Sequence, residues 1–268
     1  MENRLLVLMV SFQRKEYTKG NVLNITKVIP ENSKFVICDN GSTDGTREWL
    51  EENKDKYGYE LILPSSNLRV GGAWKLISNK LKKDDFDYVL LLDNDHWILP
   101  NNNWFSECLE FFDNDEKITS LGLLGRRKPG WCGNETIFDK NYEKRKSHKN
   151  QEYYNTDLYA GCRLDKFNLW RQTFSKWNNR FIANNLNLEY HKQNYKTYKL
   201  NPGYCIDISQ YNFNNPNHKN YNEWFFSVED RSNKVYEKKM GRSVPENETK
   251  KLIINKFGED IYKLFIGE

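Results

Sequence analysis

The sequence predicts an α/β fold: a mostly parallel sheet with helices on both faces, followed by a short helical C-terminal extension. Three features carry that prediction. Short apolar runs alternate with helix-like stretches through the first hundred residues, the pattern of strands laid parallel with helices packed on both sides. Polar clusters recur just after the apolar runs, at the strand ends where ligands collect in such sheets. The 268 residues are ample for one large domain with a real core.

In chain order, Leu5–Ser11 reads as a buried strand and Glu16–Val28 as a helix stopped by Pro30. Lys34–Asp39 (KFVICD) is the second strand. The turn NGSTDG follows, in which Asp44 or Thr43 can cap a helix over Thr46–Lys54. Tyr59–Leu63 is the third strand, Gly71–Leu81 the third helix, and Tyr88–Leu92 (YVLLL) a wholly apolar fourth strand running into Asp93-Asn94-Asp95. Farther on, Ile118–Gly125 and Leu158–Leu164 read as strands, Phe181–Tyr195 as a helix, and 211–223 as an Asn-rich loop. Trp224–Met240, ended by Gly241, and Pro245–Phe265, opened by proline, close the chain as helices.

Composition excludes several classes. Charged residues at 29% and aromatics at 15% describe a folded chain with a polar surface. The longest apolar run, Leu5–Val10, is too short to span a membrane. Glu2 and the lack of a small-residue cleavage site argue against a signal peptide. Five scattered cysteines with no CxxC pair argue against a disulfide framework or zinc site, and for a reducing, cytoplasmic setting. Net charge is +4, and residues 126–150 hold eight Lys/Arg against three acids. This stretch reads as a solvated loop, or as a basic loop that meets a phosphorylated or nucleic-acid acceptor.

Asp93-x-Asp95 at the end of an apolar strand can hold a hard divalent cation, leaving open positions for diphosphate oxygens. The alternative is a turn that caps a helix. Asp39 ends the second strand and can accept from a base N–H or a ribose hydroxyl; NGSTDG serves as an ordinary helix-capping turn regardless, and on this segment alone that reading prevails. Asn67-x-Arg69-x-Gly71-Gly72-x-x-Lys75 opens the third helix, where glycines let backbone approach a ligand and the helix N-terminus favours phosphate. Neither GxxxxGK[ST] nor GxGxxG is present.

The opening strand with SFQR, the DNGSTDGT turn, the NLRVGGAWK segment and the LLLDND strand end, in that order, resemble the inverting family 2 glycosyltransferases of the GT-A fold. The resemblance covers roughly residues 4–210 and is best over 4–100. It implies a nucleotide-sugar-binding half at 1–100, an acceptor half at 101–222 beginning its acceptor features near Gly161, and the extension at 223–268. It implies that Ser11, Phe12 and Arg14 line the nucleotide and that Asp39 touches the base. Arg69, Gly72 and Lys75 would lie near the nucleotide or diphosphate, Asn94 near the ribose, and Asp93 and Asp95 on Mn²⁺ or Mg²⁺. The family's third metal ligand comes from a later loop, here Tyr204-Cys205-Ile206-Asp207, which makes Asp207 the candidate.

One departure bears on chemistry. The family's Glu-Asp-x-Asp segment, source of the catalytic base, reads Asn184-Asn185-Leu186-Asn187. Asn185 stands at the catalytic position, but an amide has no basic site near neutral pH. Glu189, one turn on, can serve instead; the leaving diphosphate can take the proton in a retaining reaction; or the protein binds without catalysis. The implied activity is hexose transfer from a UDP- or GDP-sugar to a hydroxyl of a glycan or other soluble acceptor, with modified DNA as a further candidate. The alternative is a catalytically inactive sugar- or nucleic-acid-binding protein. A nucleotidyltransferase is disfavoured, since no glycine follows the first strand before Gly20. Arg126, Arg127, Trp131, Trp170 and Trp177 read as surface or core residues before they read as ligand contacts. The four histidines lack metal-ligand spacing, and only His96 adjoins the paired carboxylates.

Overall fold

The structure, a computed structural model, describes residues 4–81, 86–98, 103–123, 137–139, 142–146, 152–154, 162–175, 183–200 and 205–207. Strand β1 (Leu5–Ser11) is buried at every position, and the alternation of its side chains separates two cores. Leu5, Val7 and Met9 pack with Val22 and Ile25 of α1 (Lys15–Val28), Leu50 of α2 (Thr46–Tyr57), and Trp104, Phe105 and Phe112 of α4 (Trp104–Asn114). Leu6, Leu8 and Val10 pack with Trp74 and Ile77 of α3 (Arg69–Lys80), Phe167, Trp170 and Phe174 of α5 (Phe167–Ser175), and Leu186 and Tyr190 of α6 (Ala183–Lys192). Each such aliphatic side chain contributes about 1.5–3 kcal/mol on burial. An apolar run with both faces covered thus places helices on both sides of the sheet.

The first half is parallel. β1 lies between β2 (Lys34–Asp39) and β4 (Tyr88–Asp93), and β3 (Tyr59–Ile62) flanks β2 at the edge. Register pairs Ser11 with Asp39 and Val10 with Asp93, so these strands end at one level on one edge. The second half extends the same sheet through β10 (Cys162–Lys166), antiparallel to both β4 and β6 (Ile118–Gly122), and β11 (Lys196–Leu200), parallel to β6. A short ribbon, β5 (His96–Ile98) with β12 (Cys205–Asp207), stands apart from it.

The structure corrects several expectations: α2 continues to Tyr57, α3 starts at Arg69, β6 ends at Gly122, β10 runs on to Lys166, and α4, β5, α5, β11 and β12 are added. Within the basic 126–150 stretch, β7 (Ile137–Asp139) and β8 (Tyr142–Lys146) form an antiparallel pair, continued by β9 (Glu152–Tyr154). β8 pairs with β11, so part of this stretch satisfies the backbone of a strand that would otherwise end the sheet. Its lysines hide that role from a polarity reading. Helix α6 stops at Lys192, not Tyr195, because Asn194 takes φ 63° and the N–H of Tyr195 returns to the Tyr190 carbonyl. β4 runs through Asp93, one residue beyond its apolar run. The closing helices, the 211–223 loop, Gly161, Arg126, Arg127, Trp131 and Trp177 lie outside the described residues. Trp170 is fully buried against Phe167 and Phe174, a core residue. No described helix is long and apolar enough to cross a membrane. Cys38, Cys108, Cys162 and Cys205 are buried and form no disulfide.

Candidate active site

β4 is buried through Leu92 and emerges at Asp93, whose side chain is 28% exposed at the strand-end edge. The chain turns at Asn94 and Asp95 into β5, which starts at His96 and sets its ring beside the carboxylates. His96 Nδ1 lies 3.3 Å from an Asp95 oxygen and 3.8 Å from an Asp93 oxygen. One ligand atom from each of Asp93, Asp95 and His96 falls within 4.8 Å of the others. Oxygen ligands near 2.1 Å from a cation are at most about 4.2 Å apart, so small side-chain adjustments close this set on one ion. Two carboxylates with one imidazole suit Mn²⁺ better than an all-oxygen site would, and still accept Mg²⁺. Asp207 stands opposite His96 in the β5–β12 register.

The end of β1 supplies the counter-charge. Gln13 and Arg14 both take left-handed backbone conformations, at φ 57° and 62°. That conformation is costly for non-glycine residues and clusters at functional sites. It directs Arg14 Nη1 onto Asp95, with the guanidinium also over the Tyr17 ring. Gln13 fastens the first strand end to the second: its N–H donates to Ser42 Oγ at 2.7 Å, its Nε2 to Thr43 Oγ1 at 3.0 Å, and its Oε1 accepts from the Thr43 N–H at 3.2 Å. Asp44 caps two helices at once, accepting from the N–H groups of Lys15 on α1 and Thr46 on α2.

Asp39 is fully buried. Its carboxylate accepts from the Ser42 N–H and hydroxyl and from Arg47 Nε at 3.0 Å. Burial pushes the neighbouring Cys38 thiol up to about 12, so it is no nucleophile. Asn40 Nδ2 donates to Asn67 Oδ1, which also accepts from the Arg69 N–H at 2.7 Å, and Asn40 Oδ1 accepts from the Leu68 N–H. These bonds tie the start of α3 to the end of β2. Arg69 is exposed at φ 62°, Gly72 is buried and Lys75 half-buried. Ser11 is fully buried and shares a hydrogen bond with Thr18, while Asn94 Nδ2 donates to the Gln13 carbonyl and Thr18 Oγ1. Phe12 is half-buried.

A second polar cluster joins β6, β10 and α6. Arg163 on β10 is 1% exposed and donates to Asp165 from Nε, to Asn187 from Nη1 and to Ser120 from Nη2, at 2.7–2.8 Å. Tyr190 donates to the other Asp165 oxygen at 3.0 Å. Burial, then the Asp165 carboxylate, pushes the Tyr190 phenol well above its ordinary value, so it stays a donor. Asn187 and Tyr190 anchor α6, which carries positions 185 and 189. Glu189 is paired with Lys192 Nζ at 2.6 Å, and its side chain is 21% exposed.

The structure therefore brings Asp93, Asp95 and His96 within reach of one ion, pairs Arg14 with Asp95, and places Ser11 and Asp39 on the same sheet edge. The sequence singles out His96 as the one histidine that adjoins the carboxylates but does not place it among the ligands; its approach to both carboxylates is seen only in the structure. Gln13 and Arg47 were missed. The two left-handed residues after β1 leave no mark in hydrophobic pattern.

The sequence profile described as glycosyl transferase family 2 matches residues 6–167, more than half of the chain. Among solved structures, a mannosyltransferase from Pyrobaculum calidifontis in complex with GDP-Man and Mn²⁺ gives a TM-score of 0.60 at 12% identity, over 100% of this chain and 74% of that one. S. aureus TarS 1–349 in complex with UDP gives 0.54 at 15% identity, over 97% and 86%. The complex of TarS 1–349 with UDP-GlcNAc gives 0.53 at 16% identity, over 76% of this chain and 58% of that one. At these identities the likeness is one of fold. No curated protein sequence matches this chain. With the profile spanning both the parallel half and β10, the chain belongs to glycosyl transferase family 2.

Proposed function

We propose that this protein transfers a hexose from a UDP- or GDP-sugar to an acceptor hydroxyl, using Mn²⁺ or Mg²⁺ held by Asp93, Asp95 and His96. The observation that carries the reading is the convergence of these three ligand atoms at the end of β4, beside Arg14, in a family 2 fold. The solved neighbours bind UDP, UDP-GlcNAc and GDP-Man, one of them with Mn²⁺. The chemistry supplied by a cation there is charge neutralisation on the departing diphosphate. Asp207 is the proposed further ligand, in line with its register opposite His96.

Residues 1–100 form the proposed donor half. Phe12 and Arg14 line the nucleotide, with Ser11 and Asn94 behind them holding the strand end, and Arg69, Gly72 and Lys75 flank the diphosphate at the start of α3. Asp39 meets the base edge from the end of β2. Residues 101–222 form the acceptor half, in which Glu189 replaces the family's carboxylate at position 185 as general base. The acceptor is a glycan or another soluble hydroxyl compound, with modified DNA a less favoured choice. The four described cysteines, buried and without disulfides, agree with a cytoplasmic setting.

A second reading, a sugar-binding protein without turnover, is favoured by the amides at 184, 185 and 187 and by the Glu189–Lys192 pair. The two separate in a panel of UDP- and GDP-sugars incubated with Mn²⁺, Mg²⁺ or EDTA. Metal-dependent release of nucleotide from one donor supports the transferase. Tight binding of a donor with no release over hours supports the binder.

A further inference from the structure

Helix α1 carries a buried polar stripe that the reaction does not explain. Val22 and Ile25 pack into the core, as expected of a helix beside a sheet. Thr18, Asn21 and Asn24, spaced by three, are nonetheless 0–2% exposed. Buried amides and hydroxyls are costly unless they find partners; each of the three bonds to the segment that carries Asp93, Asp95 and His96, while the Oδ1 of Asn21 has no hydrogen-bond partner among the described residues. Asn21 Nδ2 donates to the Asp93 carbonyl at 2.9 Å. Thr18 Oγ1 accepts from Asn94 Nδ2 at 3.0 Å. Asn24 holds both backbone groups of Ile98: its Nδ2 donates to the carbonyl at 2.9 Å, and its Oδ1 accepts from the N–H at 2.8 Å. Between these rungs the helix has Gly20, where an added Cβ would lie 2.2 Å from Cζ2 of Trp97. The helix backbone therefore rests directly on the Trp97 ring.

We propose that Thr18, Asn21 and Asn24, with Gly20, are positioning residues that set the divalent-cation affinity of the 93–98 segment. The proposal rests on the reading of Asp93, Asp95 and His96 as a cation site. The ladder grips the start of the segment at Asp93, its turn at Asn94 and its end at Ile98, and so fixes the backbone on either side of the two carboxylates. Carboxylates one residue apart repel each other, and a free turn would splay them. Held by the helix, they meet a cation without reorganising first. Groups behind a ligand set typically change metal affinity by about 10–100-fold when removed.

The test is Mn²⁺ binding to the full chain without nucleotide, followed by the electron paramagnetic resonance of free Mn²⁺, with thermal unfolding alongside. Asn21→Ala and Asn24→Ala are expected to weaken Mn²⁺ roughly tenfold or more. Thr18→Val, nearly the same shape, is expected to weaken it several-fold, and Thr18→Ser to restore it. Tyr59→Phe serves as the stability control: it removes a buried bond to the Leu50 carbonyl in the α2–β3 region and is expected to lower the melting temperature with Mn²⁺ affinity unchanged. Folded ladder variants that bind Mn²⁺ within twofold of wild type overturn the proposal. Should the alanine variants not fold, the Thr18 pair decides it. A wild-type chain that does not bind Mn²⁺ overturns the cation site itself and this inference with it.

Discussion

Arg163 on β10 donates from Nη1 to Oδ1 of Asn187 on α6 at 2.8 Å, and neither residue is more than 3% exposed. This bond shows what one of the amides in the Asn184-Asn185-Leu186-Asn187 segment does. Arg163 already has a carboxylate partner, Asp165, so the pair is neutral as it stands. A carboxylate at 187 would leave the cluster with a buried negative charge. Asn187→Asp and Asp165→Asn are each expected to destabilise the fold by about 2–4 kcal/mol. The double variant, which moves the charge from β10 to α6, is expected to return to within about 1 kcal/mol of wild type. Tyr190 can then rotate its hydroxyl to accept from the amide introduced at position 165 in place of donating. Urea unfolding of the four proteins measures this coupling directly.

The Arg14–Asp95 pair sets a competition between guanidinium and cation. Arg14→Gln leaves the paired carboxylates more negative. It is expected to tighten Mn²⁺ alone by about 1 kcal/mol, roughly fivefold. The same variant is expected to weaken binding of UDP or GDP with Mn²⁺, since a diphosphate partner is lost. Opposite signs in two calorimetric titrations identify the dual role; a fall in both affinities would reduce Arg14 to a scaffold residue.

Glu189→Gln tests the general base. If the carboxylate deprotonates the acceptor, the change is expected to slow donor hydrolysis about 10²–10⁴-fold while donor affinity holds. Rates equal to wild type would exclude Glu189 as the general base.

Asp115 joins the end of α4 to β11. It accepts from Lys196 Nζ and from the Lys117 N–H, and the Lys196 hydrogen bond foremost lowers its folded pKa. A carboxylate whose folded pKa lies below its unfolded value of about 3.9 stabilises the protein above that value and loses the contribution as pH falls through the folded pKa. Asp115→Asn is therefore expected to be less stable than wild type near pH 7, with the gap closing below about pH 4. A gap that is constant from pH 7 to pH 3 would contradict it.

The parallel half was legible in the sequence because burial on both faces writes unbroken apolar runs, and strand ends write polar clusters after them. Leu5–Ser11, Lys34–Asp39 and Tyr88 onward appear where the pattern places them. The Asp93/Asp95 pair was legible for the same reason: it interrupts YVLLL at an edge. What the pattern did not carry was geometry made by turns. His96 lies within 4 Å of both carboxylates through the turn at 94–95, and Arg14 meets Asp95 where two left-handed residues follow β1. Strand β8 was hidden because it is held by pairing with β11 and β7, while four of its five residues are charged. The polar stripe of α1 was masked by its apolar neighbours, since Thr18, Asn21 and Asn24 look like the solvent face of an ordinary amphipathic helix.

The central claim is that Asp93, Asp95 and His96 hold a divalent cation through which a nucleotide diphosphate binds. The most direct measurement is calorimetric titration of UDP and of GDP into the full chain, with Mn²⁺ and with EDTA, for wild type and Asp95→Ala. The account predicts binding of one nucleotide that requires Mn²⁺ and falls at least about tenfold in the variant. Binding of equal strength in EDTA, or unchanged by Asp95→Ala, would contradict it.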